Sequence, residues 1–175
     1  MEKGINNKVN LINDVSAFNY DKNTINILKK YNIPFIIHHM LGVPKFMQKK
    51  PKYKNVLLDI YDFFEDKIKE IRLKGIKHNN IILDPGIGFG KSVEDNFVII
   101  KHLKDFKKLG YKILLGLSRK SFLTFNGNKP KERLAPTLSM STIAILNGVD
   151  ILRVHDVSDT INAVSAINNY IKIEK

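Results

Sequence analysis

The sequence contains no cysteine, no tryptophan, only four arginines and no long apolar run. Without cysteine, a disulfide scaffold, a thiolate zinc site and a cysteine nucleophile are excluded. The apolar segments are far shorter than the ~20 residues that a membrane-spanning helix needs. The first ten residues also lack the apolar core of a secretory signal peptide. We therefore expect a soluble, cytoplasmic protein with no membrane partner.

Arginine is scarce although the chain is strongly basic. The 175 residues carry 29 Lys and Arg against 17 Asp and Glu, a formal net charge of +12. The lysines are scattered, whereas a nucleic-acid-binding face concentrates Arg, aromatic and Gly residues along one groove. We expect no nucleic-acid partner. Arg119, Arg133 and Arg153 stand beside motif-like residues, and their planar guanidinium groups suit bidentate recognition of phosphate or carboxylate.

Short apolar runs alternate with longer amphipathic stretches along the chain. The predicted strands are residues 9–13, 33–38, 80–84, 112–116 and 150–154, and the predicted helices are 21–31, 54–74, 93–109, 131–147 and 158–171. Nearly continuous apolar runs are typical of parallel strands buried on both faces. The sequence therefore predicts a single α/β domain over residues 1–175, built from five βα units. A complete (β/α)₈ barrel needs about 250 residues, so periodicity alone favours a five-stranded, doubly wound open parallel sheet.

Polar residues follow each predicted strand at its carboxyl end. In both barrels and open α/β sheets this is the edge where ligands bind, and we predict a site there. The polar clusters are Asn13 with Asp14, His38 with His39, Asp84, Gly116 with Ser118, Arg119 and Lys120, and Arg153 with His155 and Asp156.

The segment DPGIGFGK at 84–91 is a glycine-rich loop after a predicted strand. Gly86 and Gly90 are separated by three residues, whereas a phosphate-binding P-loop has four, so that mechanism is excluded. Asp84 could accept two parallel N–H bonds from a guanidine-like edge of a heterocycle. It could equally cap its own loop, and the sequence leaves both interpretations open.

Two further segments carry paired cations. In GLSRKSF at 116–122, adjacent cations between two hydroxyls indicate an anionic or electron-rich ligand, or simply a solvated basic turn. Arg153 and His155 point to the same side of a strand and together could bind a phosphate. His38 and His39 are adjacent, so they face opposite sides and cannot chelate one ion; we expect no protein metal site.

Taken together, five segments resemble dihydropteroate synthase in order and approximate spacing. They are NDV at 13–15, HMLGVP at 39–44 with MQ at 47–48, DPGIGFGK at 84–91, GLSRKSF at 116–122 and RVHD at 153–156; ERL at 132–134 with Thr137 also fits. That family folds as a (β/α)₈ barrel. The resemblance therefore implies a partial TIM barrel, N-terminally incomplete, in which the five units correspond to strands four to eight.

The resemblance also implies an activity. In folate biosynthesis this family is a transferase that condenses 6-hydroxymethyl-7,8-dihydropterin diphosphate with p-aminobenzoate and releases pyrophosphate. By resemblance, the catalytic residues are Lys120, Arg153 and His155. The pterin contacts are Asn13, Val15, Met40, Asp84, Gly116 and Lys120. The p-aminobenzoate side, where sulfonamides compete in this family, is lined by Phe89, Ser118, Arg119 and Ser121, and the diphosphate is held by Arg153 and His155.

The resemblance implies Mg²⁺ as a cofactor, held mainly through the diphosphate and a loop that is absent from this chain. It also implies a homodimer once the barrel is completed. Two alternatives stay open: a non-catalytic pterin-binding remnant or interaction module, and a pterin-binding methyltransferase domain. The SRKSF segment and the Met-x-Gly-x-Pro turn at 40–44 speak against the methyltransferase.

Overall fold

The computed structural model of the chain describes residues 1–21, 23–42 and 51–173. Val43, Pro44, Met47 and Gln48 of the predicted motif around Met40 lie outside the described residues. The strands are β1 (Ile12–Asp14), β2 (Phe35–His38), β3 (Ile81–Asp84), β4 (Lys112–Leu115) and β5 (Ile151–Leu152). The α-helices are α1 (Glu2–Asn6), α2 (Thr24–Tyr31), α3 (Val56–Leu73), α4 (Val93–Lys101), α5 (Leu103–Lys107), α6 (Leu134–Leu146) and α7 (Val157–Lys172). Short 3₁₀ turns span His78–Asn80, Ser121–Leu123 and Pro130–Glu132.

The five strands form one parallel sheet in the order β1-β2-β3-β4-β5. A doubly wound sheet reverses its strand order at a switch point, whereas here each strand pairs with the next along the chain. The open doubly wound alternative is therefore wrong. A sequential parallel order with α-helical crossovers is the order of a (β/α) barrel, and the partial-barrel prediction is confirmed.

The two faces of the sheet carry different side chains because neighbouring residues of a strand alternate in direction. The outer face packs against the helices in the main apolar core, to which Phe35, Ile37 and Leu83 belong. The inner face carries a smaller cluster of Ile36, Ile82 and Leu114, with Ile151 packed against it. Residues two positions beyond this inner cluster continue the same face, at the last residue of β2 and β3 and just past the ends of β4 and β5. They are His38, Asp84, Gly116 and Arg153.

Several predicted elements differ from the observed ones in extent. Strand β5 has only two residues, so Arg153 follows the strand. The helix predicted over 93–109 is divided at His102, where the side-chain amide of Asn147 donates to the carbonyl of Ile100 at 3.0 Å. Helix α6 starts only after the 3₁₀ turn at Pro130–Glu132. None of the helices within the described residues combines the length and apolarity that crossing a bilayer requires.

Candidate active site

Asp84 is the centre of the site. It ends β3 and is fully buried. Its Oδ1 accepts a hydrogen bond from the backbone N–H of Gly86 at 2.8 Å, and its Oδ2 accepts one from Nη2 of Arg153 at 3.0 Å. The loop-capping interpretation of Asp84 is thus confirmed for Oδ1, whereas recognition of a heterocycle edge stays a prediction. A buried carboxylate needs such partners, since burying an unpaired charge is costly.

Arg153 reaches Asp84 by crossing over Gly116. A Cβ built on Gly116 would lie 2.6 Å from Nη2 of Arg153, so a side chain at this position would displace the guanidinium. The Arg153 side chain is 40% exposed while the Asp84 side chain is fully buried. Arg153 therefore links the buried carboxylate to the open mouth of the site, where an anion could approach it.

Lys120 lies on the other side of the glycine-rich loop. Its Nζ donates to the carbonyl of Ile87 and sits 4.6 Å from the ring centroid of Phe89, a cation–π distance. A Cβ on Gly88 would lie 3.1 Å from Cδ of Lys120. Burial lowers the pKa of Lys120 to about 8; nearby Asp84 opposes this shift and Arg153 adds to it. The ammonium group is thus held next to a loop surface from which it can donate to a ligand.

Ser118 and His155 face each other across the ends of β4 and β5. The Ser118 Oγ lies 3.0 Å from Nδ1 of His155 and accepts a hydrogen bond from the His155 backbone N–H at 3.3 Å. Ser118 is buried and His155 is exposed. This contact orients the imidazole with its other edge toward solvent.

Arg119 forms a bidentate ion pair with Asp156 and is not directed at Asp84. Its Nε donates to Oδ2 of Asp156 at 2.9 Å, and its Nη2 donates to Oδ1. The pair holds the pKa of the Asp156 carboxyl below its usual range. The Arg119 backbone lies in the left-handed region at φ 57°, and its N–H donates to the hydroxyl of Thr137 at 3.0 Å. Nη1 of Arg133 donates to the Arg119 carbonyl at 2.9 Å. Thr137 in α6 and Arg133 just before that helix therefore hold this loop in place.

The glycine-rich loop packs directly on the chain that follows β2. A Cβ on Gly86, whose φ is +73°, would lie 1.9 Å from the carbonyl oxygen of His39, so only glycine fits there. Beneath the loop, Nζ of Lys91 contacts Nδ1 of His39 at 3.0 Å and donates to the carbonyl of Phe89 at 3.1 Å. The buried amide of Asn96 accepts from the N–H of Gly88 at 2.7 Å. These contacts hold the loop in place.

Burial controls the charge of the groups beneath the loop. It lowers the pKa of Lys91 to about 7, although Asp84 opposes the shift. The pKa of His39 falls to about 2, first because of burial and then because of Lys91. His39 is therefore a neutral acceptor for Lys91. The sequence did not single out Lys91 or Asn96 as site residues, and nothing in their local pattern shows that they turn inward.

The remaining predicted contacts lie around the site with different exposure. Asn13 is exposed on β1, Val15 is 36% exposed, and Met40 is half-buried. Val15 and Met40 line a cavity of about 190 Å³ together with His38. Ser121 is exposed at the start of the 3₁₀ turn Ser121–Leu123. The structure thus brings Asp84, Gly116, Lys120, Arg153 and Phe89 into one group, with Ser118 and His155 beside it.

Metal ligands are not grouped in this part of the molecule. Within residues 1–21, 23–42 and 51–173, no three His, Asp or Glu side chains come together in a way that could hold a metal ion. The described residues by themselves do not fit a magnesium centre.

Comparison with known proteins places this geometry in a family. The family model described as "Pterin binding enzyme" matches residues 1–155. The chain is 39% identical over 161 residues to the dihydropteroate synthase of Haemophilus influenzae, covering 91% of this chain and 58% of that protein. It is 34% identical over 158 residues to the enzyme of Escherichia coli, covering 90% and 56%. The chain thus spans little more than half the length of these curated relatives.

Solved structures agree with the sequence comparison. A Yersinia pestis dihydropteroate synthase in complex with a sulfonamide drug superimposes with a TM-score of 0.91 at 32% identity, covering 95% of this chain and 61% of that one. The Xanthomonas albilineans enzyme with 4-aminobenzoic acid gives a TM-score of 0.85 at 29% identity, covering 94% and 58%. The chain therefore belongs to the pterin-binding enzyme family, and its five strands correspond to part of the barrel of a dihydropteroate synthase.

Proposed function

We propose that this chain carries the pterin site and the p-aminobenzoate side of a dihydropteroate synthase, and that further βα units complete its barrel for catalysis. The observation that carries the proposal is the environment of Asp84. A buried carboxylate stands at the carboxyl end of a central barrel strand with two cationic side chains, Arg153 and Lys120, next to it. This arrangement suits a ligand that combines a polar heterocycle with an anionic group.

The heterocycle belongs at Asp84. A pterin presents a ring N–H and an exocyclic NH₂ side by side, and a carboxylate can accept from both at once. Lys120 can donate to the acceptor atoms on the far side of the ring system, because its ammonium lies between the Ile87 carbonyl and the Phe89 ring. Arg153 donates to Oδ2 of Asp84, so a pterin that pairs with this oxygen would release the guanidinium toward the diphosphate.

The chemistry needs stabilisation of a leaving group. The bond between the pterin methylene carbon and the diphosphate oxygen breaks, the amine nitrogen of p-aminobenzoate bonds to that carbon, and the nitrogen loses one proton. Fixed donors that face the departing negative charge are the main catalytic device for such a step. We assign this role to Arg153, whose side chain is 40% exposed, and to His155, whose Nδ1 contacts Ser118.

The second substrate approaches from the loop after β4. Phe89 lies beside Lys120, Ser118 and Ser121 belong to the same loop, and Arg119 is held by Asp156. The Xanthomonas albilineans relative binds 4-aminobenzoic acid, and by that likeness we assign p-aminobenzoate to this side. Because Arg119 is already paired, we assign its role to shaping the loop as well as lining the subsite.

Magnesium enters the proposal only through the substrate. The described residues offer no group of three acidic or histidine side chains for it, so we derive no step through the metal. The resemblance implies that the diphosphate and a loop outside this chain hold the ion. By the same resemblance we propose a cytoplasmic homodimer as the working form.

A direct test is binding of 6-hydroxymethylpterin to the chain, followed by the assay of dihydropteroate formation with and without the first three βα units of a relative. We expect pterin binding by the chain and product only when those units are added. The variant Asp84→Asn should weaken pterin binding about a hundredfold, since it removes a charge-assisted pair of hydrogen bonds. Asp62→Asn, on the exposed face of α3, is the matched control and should bind like the wild type.

The outcome also separates the proposal from the non-catalytic alternative. Pterin binding with no product even after complementation would favour a remnant that binds pterin without turning it over. An Asp84→Asn variant that binds pterin as tightly as the wild type would contradict the assignment of the site.

A further inference from the structure

His38 is a buried histidine whose two ring nitrogens have no hydrogen-bond partner among the residues that the structure describes. Its side chain is fully buried. Other buried polar groups of the site, such as the Asp84 carboxylate and the Lys91 ammonium, have partners at 3.0 Å or closer. Buried polar side chains are hydrogen-bonded in the great majority of cases. The exception at His38 therefore needs an explanation.

The ring lies within the site and is fixed there. His38 ends β2 directly opposite Asp84 in the parallel register, and its Nε2 is 3.9 Å from Oδ2 of that residue. This distance is too long for a hydrogen bond. Phe89 packs edge-on against the ring at a centroid distance of 4.5 Å. The ring also borders the 190 Å³ cavity that Val15 and Met40 line.

The protonation state of His38 is set by its surroundings. Burial lowers its pKa, Asp84 opposes this shift, and the cations Lys91, Lys120 and Arg153 add to it. The imidazole is therefore neutral at pH 7, with one nitrogen that donates and one that accepts. Such a ring can pair with either kind of edge atom on a fused heterocycle.

We propose that His38 is a substrate-binding residue, whose imidazole forms a hydrogen bond with the pterin that Asp84 anchors. The proposal deepens the function proposed above and rests on it. The ring nitrogens have no hydrogen-bond partner among the described residues, and the bound heterocycle supplies one. His38 thereby contributes to selecting a ring with a polar edge over an apolar ring of the same size.

The test measures the affinity of the full chain for 6-hydroxymethylpterin, together with its melting temperature. His38→Leu removes both nitrogens and keeps an apolar side chain, and we expect Kd to rise about tenfold, the effect of one lost hydrogen bond to a buried ligand. His38→Gln can still hydrogen-bond and should restore most of the affinity. His102→Gln, at the junction of α4 and α5 away from the site, should leave Kd unchanged.

A merely structural role gives a different pattern. If His38 served only the fold, His38→Leu would lower the melting temperature and Kd would change only through unfolding. We expect the opposite, a melting temperature equal to or above that of the wild type, since an unpaired buried polar group is removed. In ¹⁵N spectra of labelled histidine, pterin should shift the His38 ring resonances and leave those of His102 in place.

The possible failures are distinguishable. If the wild type binds pterin, Asp84→Asn does not, and His38→Leu binds as the wild type does, the role of His38 is overturned and the proposed function stands. If the wild type shows no binding of pterin, both are overturned.

Discussion

At the scale of single residues, the site depends on cations that are buried with few compensating charges. Lys91 lies beneath the glycine-rich loop with its ammonium on His39 and on the Phe89 carbonyl. Its contacts hold the loop, but its burial opposes protonation and lowers its pKa to about 7 from an ordinary value of 10.5. The unfolded chain therefore binds more protons than the folded one between these two pH values.

This difference predicts that the free energy of unfolding rises with pH between about 7 and 10.5. Above 10.5 Lys91 is neutral in both states, and the penalty for burying its charge is absent. Below pH 7 the folded state buries the charged ammonium, and the stability lost between pH 10.5 and pH 7 amounts to about 5 kcal/mol. Urea unfolding at pH 7 and pH 9.5 tests this prediction. Between these two pH values the free energy of unfolding should rise less for Lys91→Met than for the wild type. Equal gains would show that Lys91 is not the group responsible.

The lowered pKa of Lys120 predicts that the affinity for the ligand depends on pH. Its pKa is lowered to about 8, so the ammonium that we assign to the pterin loses its proton just above that pH. We expect the Kd for 6-hydroxymethylpterin to rise between pH 7.5 and 9.5. Lys120→Arg keeps its charge over this range and should flatten the profile whatever its absolute affinity. A profile with the same slope in both proteins would assign the titration to another group.

At the scale of elements, the contact between the glycine-rich loop and the chain after β2 decides the shape of the site. Gly86 and Gly127 both have φ near +72°, a conformation that strains any residue with a Cβ. A Cβ on Gly86 would also meet the His39 carbonyl at 1.9 Å, whereas a Cβ on Gly127 would meet nothing within 4 Å. Comparing a substitution at these two glycines therefore separates the cost of backbone strain from the cost of a steric contact.

We therefore predict unequal effects of the same substitution. Gly127→Ala should cost about 1 kcal/mol of stability, from backbone strain alone. Gly86→Ala should cost at least 3 kcal/mol and abolish pterin binding, because the loop must move away from His39 and take Asp84 with it. Chemical denaturation of the two variants measures this difference. Equal losses would mean that the loop can shift without cost.

Most of the strands and helices, but only part of the candidate site, could be predicted from the sequence. Strands such as 80–84 were predictable because parallel strands buried on both faces are nearly continuous in apolar residues, and the strand ends located Asp84 and Gly116. The pairing of Arg119 with Asp156 and the inward turn of Lys91 were not predictable. They depend on contacts between residues 37 and 52 positions apart, and local periodicity contains no information about such contacts.

At the scale of the whole molecule, the sheet has two free edges within the described residues, since β1 pairs only with β2 and β5 only with β4. Beside β5, a groove of about 540 Å³ is lined largely by apolar side chains that include Leu152, Val157 and Ile161. The last two are 57% and 58% exposed. Unpaired parallel strands with apolar surface beside them are prone to aggregate unless another segment covers them.

The two free edges and the groove beside β5 predict where the added βα units bind. The first three βα units of a relative, supplied as a separate polypeptide, should bind to the chain, raise its melting temperature and suppress its aggregation, because they pair with both edges and cover the groove. Ile161→Lys places a charge in the groove and should weaken this association at least tenfold. Leu73→Lys, at the end of α3 where the side chain is already 80% exposed, should associate as the wild type does. Sedimentation velocity with the two variants decides the matter: if both associate equally well, the units bind elsewhere, and the edge beside β5 is not where the barrel closes.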